Sequence, residues 1–457
     1  ERAGLAGARG YGHGVAVGDF DNDGDPDLFV TRWRSYALYR NNGDATFTDV
    51  TVNMGLGGDR DWPTSAAFAD LDDDGDLDLY VCHYLVWDTG KSYPCVDPQS
   101  PYKYHCNPLD FAPRPDRVFR NDGDRFEEVS EQAGIVDTNG RGLGVVAADL
   151  DDDGRVEIFV ANDMSANLLF RNLGGFRFEE TGLLSGVAGN ASGGFQAGMG
   201  VACGDLNRDG LPDLAVTNFH NESTTFFQNL GQGLLFADRT NAIGLAAPSR
   251  DLLGFGLAFL DANNDGVLDL MSVNGHVSDG RPQFPWKMKT QLLLGSCKQP
   301  GFTTLRDVSE LAGAPFQKPV LGRGLAVGDL DNDGKLDAVT LAQNEPLAWF
   351  HNRSQRLGHF LTLELQGIAS NRDAVGARVV VEHDSRTYHG QRVGGGSYQS
   401  ASDPRLHFGL GFAEGRCDVT VRWPSGRQDR YLGLVADRAY RLVEGQAAPG
   451  RPAGWPD

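Results

Sequence analysis

Gly14-Val-Ala-Val-Gly-Asp-Phe-Asp-Asn-Asp-Gly-Asp-Pro-Asp-Leu-Phe-Val30 sets the pattern for most of this 457-residue chain. Its centre, Asp-x-Asp/Asn-x-Asp-Gly-x-x-Asp/Glu, recurs six times, beginning at Asp19, Asp70, Asp149, Asp205, Asp261 and Asp329. Each copy sits between short apolar runs rich in β-branched and aromatic residues, too brief for amphipathic helices, so each reads as a loop joining two strands. Three or four carboxylates within nine residues repel one another unless a cation sits among them. Hard oxygen ligands on a tight loop favour calcium.

Positions one, three, five and nine supply the expected side-chain ligands. They are Asp19, Asp21, Asp23 and Asp27; Asp70, Asp72, Asp74 and Asp78; Asp149, Asp151, Asp153 and Glu157; Asp205, Asn207, Asp209 and Asp213; Asp261, Asn263, Asp265 and Asp269; and Asp329, Asp331, Asp333 and Asp337. Position seven varies as Asp25, Asp76, Arg155, Leu211, Val267 and Lys335, so its main-chain carbonyl is the expected ligand. Gly24 and its counterparts at position six take the positive φ that lets the loop wrap an ion. An EF-hand opens in the same way but needs a bidentate Glu at position twelve. Val30, Val81, Val160, Val216, Ser272 and Thr340 stand there instead. A polar turn without metal is the plainer alternative, strongest where Asn207 and Asn263 replace an acid.

Between loops a second pattern returns. Leu38-Tyr-Arg-Asn-Asn-Gly43 then Phe47, Val118-Phe-Arg-Asn-Asp-Gly123 then Phe126, Leu169-Phe-Arg-Asn-Leu-Gly174 then Phe178, and Phe226-Phe-Gln-Asn-Leu-Gly231 then Phe236 each predict two more strands around a tight turn. Loop starts are 51, 79, 56, 56 and 68 residues apart, as four-stranded units with inserted loops would be. The fold expected is all-β: a calcium-binding β-propeller of six blades with calcium loops, with room for a seventh, because radial blades leave few bare sheet edges. The last unit stops after Ala348-Trp-Phe-His-Asn352 without a clear fourth strand, and the chain opens at Glu1-Arg-Ala-Gly-Leu5 without one. A missing piece upstream would complete that ring.

These units resemble FG-GAP (VCBS) repeats of the integrin-like propeller type. From about Leu357 to Glu444, the motifs Asn371-Arg-Asp-Ala-Val-Gly-Ala377, Gly394-Gly-Gly-Ser397, Leu406-His-Phe-Gly-Leu-Gly411 and Trp423-Pro-Ser-Gly426 resemble the ASPIC/UnbV domain of the cartilage acidic protein-like family. Alternating apolar residues in Phe360–Leu365 and Val379–Glu382 predict a small β-sandwich docked on the ring, with Trp423 in its core. The expected layout is a propeller over 1–355 with an insertion at 82–115, the β domain over 356–446, and a flexible tail over 447–457.

Composition narrows the partners. The net charge is −21, but 26 of the 62 acids lie in the six loops, and six divalent ions would bring it to about −9. No basic stripe of the kind nucleic acid or an anionic membrane needs is present, and no stretch approaches the length of a membrane span. The chain begins as a mature or trimmed secreted chain would, and loops of this kind want the millimolar calcium found outside cells or in the periplasm. Cys95 and Cys106 bracket ten residues of the insertion; a disulfide there would contribute about 2 to 3 kcal/mol. A metal site drawn from Cys82, His83, Cys95, His105 and Cys106 is the rival. Cys203 and Cys417 read as plain buried thiols, and Cys297 is unassigned.

If the calcium loops join first to second strands, the opposite face of the ring is unusually polar. It carries His13, Arg32, Arg34, His83, Asn162, Asp163, Asn218, His220, Asn274, His276, Arg323 and Asn344, and the insertion and the Pro-rich run Ser278–Lys289 leave from it to wall a central depression. The favoured expectation is a binding module presenting this face to an extracellular protein or glycan, as the resemblance to integrin-type heads implies. The alternative is an enzyme or transition-metal-dependent factor using His13, His83, His220 and His276; the resemblance to UnbV proteins, associated with biosynthetic gene clusters, supports it by analogy. Three sequons, at Asn190, Asn221 and Asn352, match glycosylation acceptors. Gly394-Gly-Gly-Ser397 lacks the Lys-Ser/Thr of a phosphate loop and reads as a flexible β-turn. No Gly-x-Ser-x-Gly elbow is present.

Overall fold

The computed structural model describes residues 3–5, 10–93, 95, 105–136, 139–355 and 357–455. Positions 94 and 96–104 of the predicted insertion, and both chain ends, lie outside them. Each acidic loop joins two antiparallel strands, beginning with Gly12–Gly18 and Asp27–Arg32, where Gly18 pairs with Asp27. Ser35–Asn41 and Phe47–Asp49 complete that first blade. Four further sheets follow the same order. Their first strands are Pro63–Ala69, Gly142–Ala148, Val201–Gly204 and Gly254–Leu260. The sixth blade has three strands, Gly322–Gly328, Asp337–Ala342 and Ala348–Phe350, which agrees with the missing fourth strand in its sequence. Among the described residues no seventh blade is present.

The first strands of consecutive blades pack side by side around a common axis, and the blades are sewn together by one repeated bond. Asn121 Nδ2 donates to Phe20 O of the preceding loop (2.8 Å), Asn172 to Leu71 O (3.2 Å), Asn229 to Leu150 O (2.8 Å) and Asn352 to Ala262 O (2.9 Å). In the fifth blade Gly295 stands at this position and Thr303 Oγ1 bonds Leu206 O (2.8 Å) instead. Apolar clusters fill the seams between consecutive blades. The seam from the sixth blade to the first differs: among the described residues no hydrogen bond or apolar cluster spans it. Leu330, the counterpart of the buried Phe20, is 53 % exposed there. The propeller is an open ring.

Two sheets form the C-terminal sandwich. His359–Gln366 lies between Leu406–Gly411 and Arg438–Val443, and faces a second sheet ordered Arg386–Gln391, Arg378–His383, Arg416–Arg422 and Gln428–Val435. Leu361, Leu363, Val379, Val381, Val419, Val421 and Trp423 make its core. Trp423 is buried and its indole donates to Asp429, as expected of a core residue.

The Gly394-Gly-Gly-Ser397 run corrects its sequence reading. It opens a segment that leaves the sandwich and threads the propeller axis. Gly394 and Gly395 add a short strand to Gly142–Ala148 of the third blade. Ser397 exchanges backbone bonds with Val201 of the fourth and its hydroxyl donates to Leu325 O of the sixth. Tyr398 packs on Phe255 of the fifth, 4.9 Å between ring centres. Gln399 N bonds Ser65 Oγ of the second, and its Cα lies against Gly14 of the first. The segment returns past Val327, whose carbonyl accepts from Asp403 N (2.9 Å). The glycines answer to space: a Cβ on Gly394 would lie 2.1 Å from Phe68 O, and one on Gly395 2.6 Å from Val145 O.

Candidate metal loops and the opposite face

In the first loop backbone amides hold the outer carboxylates in place. Asp19 accepts from Asp23 N (3.0 Å) and Gly24 N (2.8 Å), and Asp27 from Phe20 N (3.1 Å) and Asn41 N (2.7 Å). Asp21 Oδ1 is buried with no donor. The same orphaned oxygens occur at Asp72 Oδ1, Asp149 Oδ1, Asp151 Oδ1 and Asp337 Oδ2. Buried carboxylate oxygens without a partner are costly, and here they converge with their neighbours. Asp19, Asp21 and Asp27, Asp70, Asp72 and Asp78, Asp149, Asp151 and Glu157, and Asp329, Asp331 and Asp333 each bring three oxygens within 4.8 Å of one another. These clusters can hold a metal ion.

Burial pushes Asp27 up to about 8, and Asp70, Asp205 and Asp261 up to about 7, with neighbouring carboxylates adding to the rise. A cation beside such groups favours their charged form and restores full ionisation at neutral pH. In the fourth and fifth loops Asn207 and Asn263 turn their amides to Asp209 and Asp265, leaving their oxygens to Asp209 N and Asp265 N. Position-seven side chains take other roles: Asp76 accepts from Asn22, Arg155 donates to Asn172 O and pairs with the position-five Asp153, and Lys335 pairs with the position-five Asp333.

Position four went unread in the sequence, and it carries the contact between ring and sandwich. Asn22, Asp73, Asp152, Arg208, Asn264 and Asn332 all have φ between 56° and 66°, a left-handed backbone that Asn and Asp tolerate. Arg372 N donates to Asn22 Oδ1 (3.1 Å), Arg422 pairs with Asp152 (2.6 Å), Arg208 lies over the Tyr388 ring (5.0 Å), His407 bonds Asn264 (2.9 Å) and Arg405 bonds Asn332 (2.7 Å). The sandwich therefore caps the metal-loop face. Arg378 and Arg422 also approach Asp149 Oδ2, at 3.2 and 2.9 Å. Between the cap and the fourth and fifth blades lies a cavity of about 570 Å³, lined among others by Arg208, Tyr388, His389 and Gln391.

The opposite face departs from expectation. Its axis is filled, because Tyr398 packs against the cluster of Leu143, Met199, Leu253, Phe255 and Met288. The four histidines do not assemble. His83 is fully buried, bonded to Tyr36 OH (2.9 Å) and held down at about 3 by burial. His13 bonds Pro63 O (2.9 Å). Only His220 and His276 are neighbours, 5.9 Å between ring centres, with their Nδ1 atoms turned to Asp251 O and Ser278; burial brings His276 down to about 4.

Asn162, Asn218 and Asn274 are buried turn staples, bonded to Ala166 O, Ser223 O and Lys289 O. Arg32 reaches Tyr39 OH and Arg323 lies over Phe255. Asp163 is bonded by Tyr84 OH and Asn344 is exposed. Cys95 and Cys106 form the expected disulfide, which removes the rival metal site. The insertion and the Pro-rich run meet, His105 N donating to Ser278 Oγ (3.0 Å).

What the polar inventory missed is a chain of aromatic rings beside that insertion. Trp33 packs on Trp62 (4.9 Å), Trp62 on Tyr84 (5.2 Å) and Trp87 (6.1 Å), and Trp87 on Tyr93 (4.6 Å) and Phe111 (5.1 Å). All are half-buried. Three tryptophans within 55 residues, placed at blade ends, were the available signal.

Blades built on acidic hairpin tips and capped by a sandwich define a repeat propeller, and two family models agree. FG-GAP-like repeats match residues 19–81, 111–160, 149–216 and 205–272, and the ASPIC and UnbV model matches 367–449. The chain carries FG-GAP-like repeats followed by an ASPIC/UnbV domain. It is similar to cartilage acidic protein 1 of Xenopus tropicalis, 26% identical over 454 residues covering 93% of this chain and 63% of the relative. It is likewise similar to that of Mus musculus, 25% identical over 445 residues covering 93% and 63%. The chain thus spans under two thirds of the length of these curated relatives. Among solved structures it is similar to an Agrocybe aegerita lectin described as recognising non-reducing terminal N-acetylglucosamine (17% identity, 77% of this chain, 84% of that one, TM-score 0.43). It is also similar to a Bacillus licheniformis rhamnogalacturonan lyase (12% identity, 77% and 75%, TM-score 0.34). No helix among the described residues is long and apolar enough to cross a membrane.

Proposed function

We propose that this protein is a secreted, calcium-stabilised binding module. Calcium in the first five acidic loops, coordinated by positions one, three, five and nine and the position-seven carbonyl, stiffens the face on which the cap sits. The opposite face then meets an extracellular protein or glycan. The observation that carries this reading is the aromatic chain Trp33-Trp62-Trp87-Tyr93-Phe111 on the uncapped side. Rings held half-exposed by one another lose little freedom on binding and offer flat apolar faces, the residue types that dominate recognition surfaces. Arg34, Arg114 and Arg117 flank it, paired to Asp59 and Asp61, and give the rim its polarity. The Cys95–Cys106 disulfide suits an oxidising compartment.

A glycan array and an extracellular-protein panel, probed with the calcium-loaded chain, test the proposal. Any hit should weaken at least tenfold, about 1.4 kcal/mol, in Trp87→Ala and Trp62→Ala. A hit untouched by both substitutions places recognition elsewhere.

A further inference from the structure

The sixth loop differs from the other five in the residue that backs it. The residue before each blade-sewing position is Arg40, Arg120, Arg171, Gln228 or Leu294 in the first five blades, the register being fixed by the amide that donates to the position-nine acid. In the sixth blade, where Asn352 N donates to Asp337 Oδ1 (2.7 Å), it is His351. Its Nδ1 is buried and has no hydrogen-bond partner. It lies 3.5 Å from Asp337 Oδ1 and 3.7 Å from Asp331 Oδ2. Asp337, with a side chain 1 % exposed, keeps a second oxygen, Oδ2, that is also buried and unpartnered.

We propose that Asp331, Asp337 and His351 form a mixed nitrogen and oxygen centre for a divalent first-row transition cation such as Zn²⁺, rather than a sixth calcium site. Calcium takes oxygen ligands, whereas imidazole suits zinc and its neighbours. The spacing agrees: ligands about 2.1 Å from a tetrahedral zinc stand roughly 3.4 Å apart, close to the 3.5 and 3.7 Å separations at His351. Asp333 carries the Lys335 ammonium on one oxygen, which leaves this loop with less free carboxylate charge than the first two. In the third blade the corresponding side chain, Arg171, reaches Asp151 at 3.5 Å and acts as a fixed counter-cation. A neutral imidazole offers a lone pair where that guanidinium offers only donors.

The test loads the full chain with Zn²⁺ or Co²⁺ while millimolar calcium is held constant, removes free metal by gel filtration and counts retained ions by elemental analysis. One transition-metal ion per chain is expected, with Co²⁺ showing the visible absorption of a four-coordinate site. His351→Arg, which copies the first three blades, should retain none while melting in calcium within a few degrees of the parent. Because Trp349 packs 4.8 Å from His351, bound Co²⁺ should also quench its emission, and Trp349→Phe should remove that quenching. No retained ion in the parent, or equal retention in His351→Arg, would overturn the proposal, and neither result bears on calcium in the other loops.

Discussion

Removing divalent cations should invert how this protein's stability depends on pH. In the metal-free chain Asp261 is pushed up to about 7 from an ordinary 3.8, a difference equivalent to about 4 kcal/mol. The folded form then holds that proton more tightly than the unfolded form does. Its contribution is fully present below about pH 4 and is lost as pH rises through about 7. Asp70 and Asp205, also near 7, lose theirs over the same window. With calcium the order reverses, because metal binding needs the deprotonated carboxylate and strengthens as pH rises. At a thousandfold excess over its dissociation constant each ion adds about 4 kcal/mol. Calorimetric melts in chelator should therefore fall on the order of 10 °C between about pH 5 and pH 8, while melts in millimolar calcium hold or rise. A chelated protein whose melting point is flat or climbs across that range would refute the reasoning, as would a calcium shift of equal size at both ends.

Three further outcomes follow from the fold. Gly394→Ala, which would place a Cβ 2.1 Å from Phe68 O, should destabilise by about 1 to 3 kcal/mol in chemical denaturation, whereas Gly12→Ala, with nothing within 4 Å, should stay within about 0.5 kcal/mol. Asn121→Ala strips partners from the buried carbonyls of Phe20 and Leu77 and should cost about 1 to 3 kcal/mol, read as a lowered denaturation midpoint with unchanged slope. Replacing Arg378 and Arg422 together by Ala frees Asp149 and Asp152, so the third loop should bind calcium more tightly by titration calorimetry, at lower thermal stability in chelator.

The acidic loops and their flanking strands were legible because the sequence states them six times over, so each copy checks the others. The sandwich was legible from alternation and from Trp423. The misreadings share one cause: a residue's neighbours lay far along the chain. His83 looked like a polar residue at a blade end, but Tyr36 and its burial make it part of the core. The glycines at 394–396 looked like slack, since nothing local reveals that Phe68 and Val145 crowd them. Position four was passed over because a left-handed Asn is ordinary in a turn. Only the docked cap shows that five such residues face the same partner.

The threaded axis also bears on how the protein is made. Blades translated first must wait for Gly394–Asp403 before their inner strands acquire a hub, so several hundred residues emerge from the ribosome in advance of the piece that centres them. Trimming the sequence at the apparent boundary between repeats and sandwich would leave a hollow, splayed disc, and expression trials that treat the halves as separable modules should yield aggregates where the whole gives soluble protein.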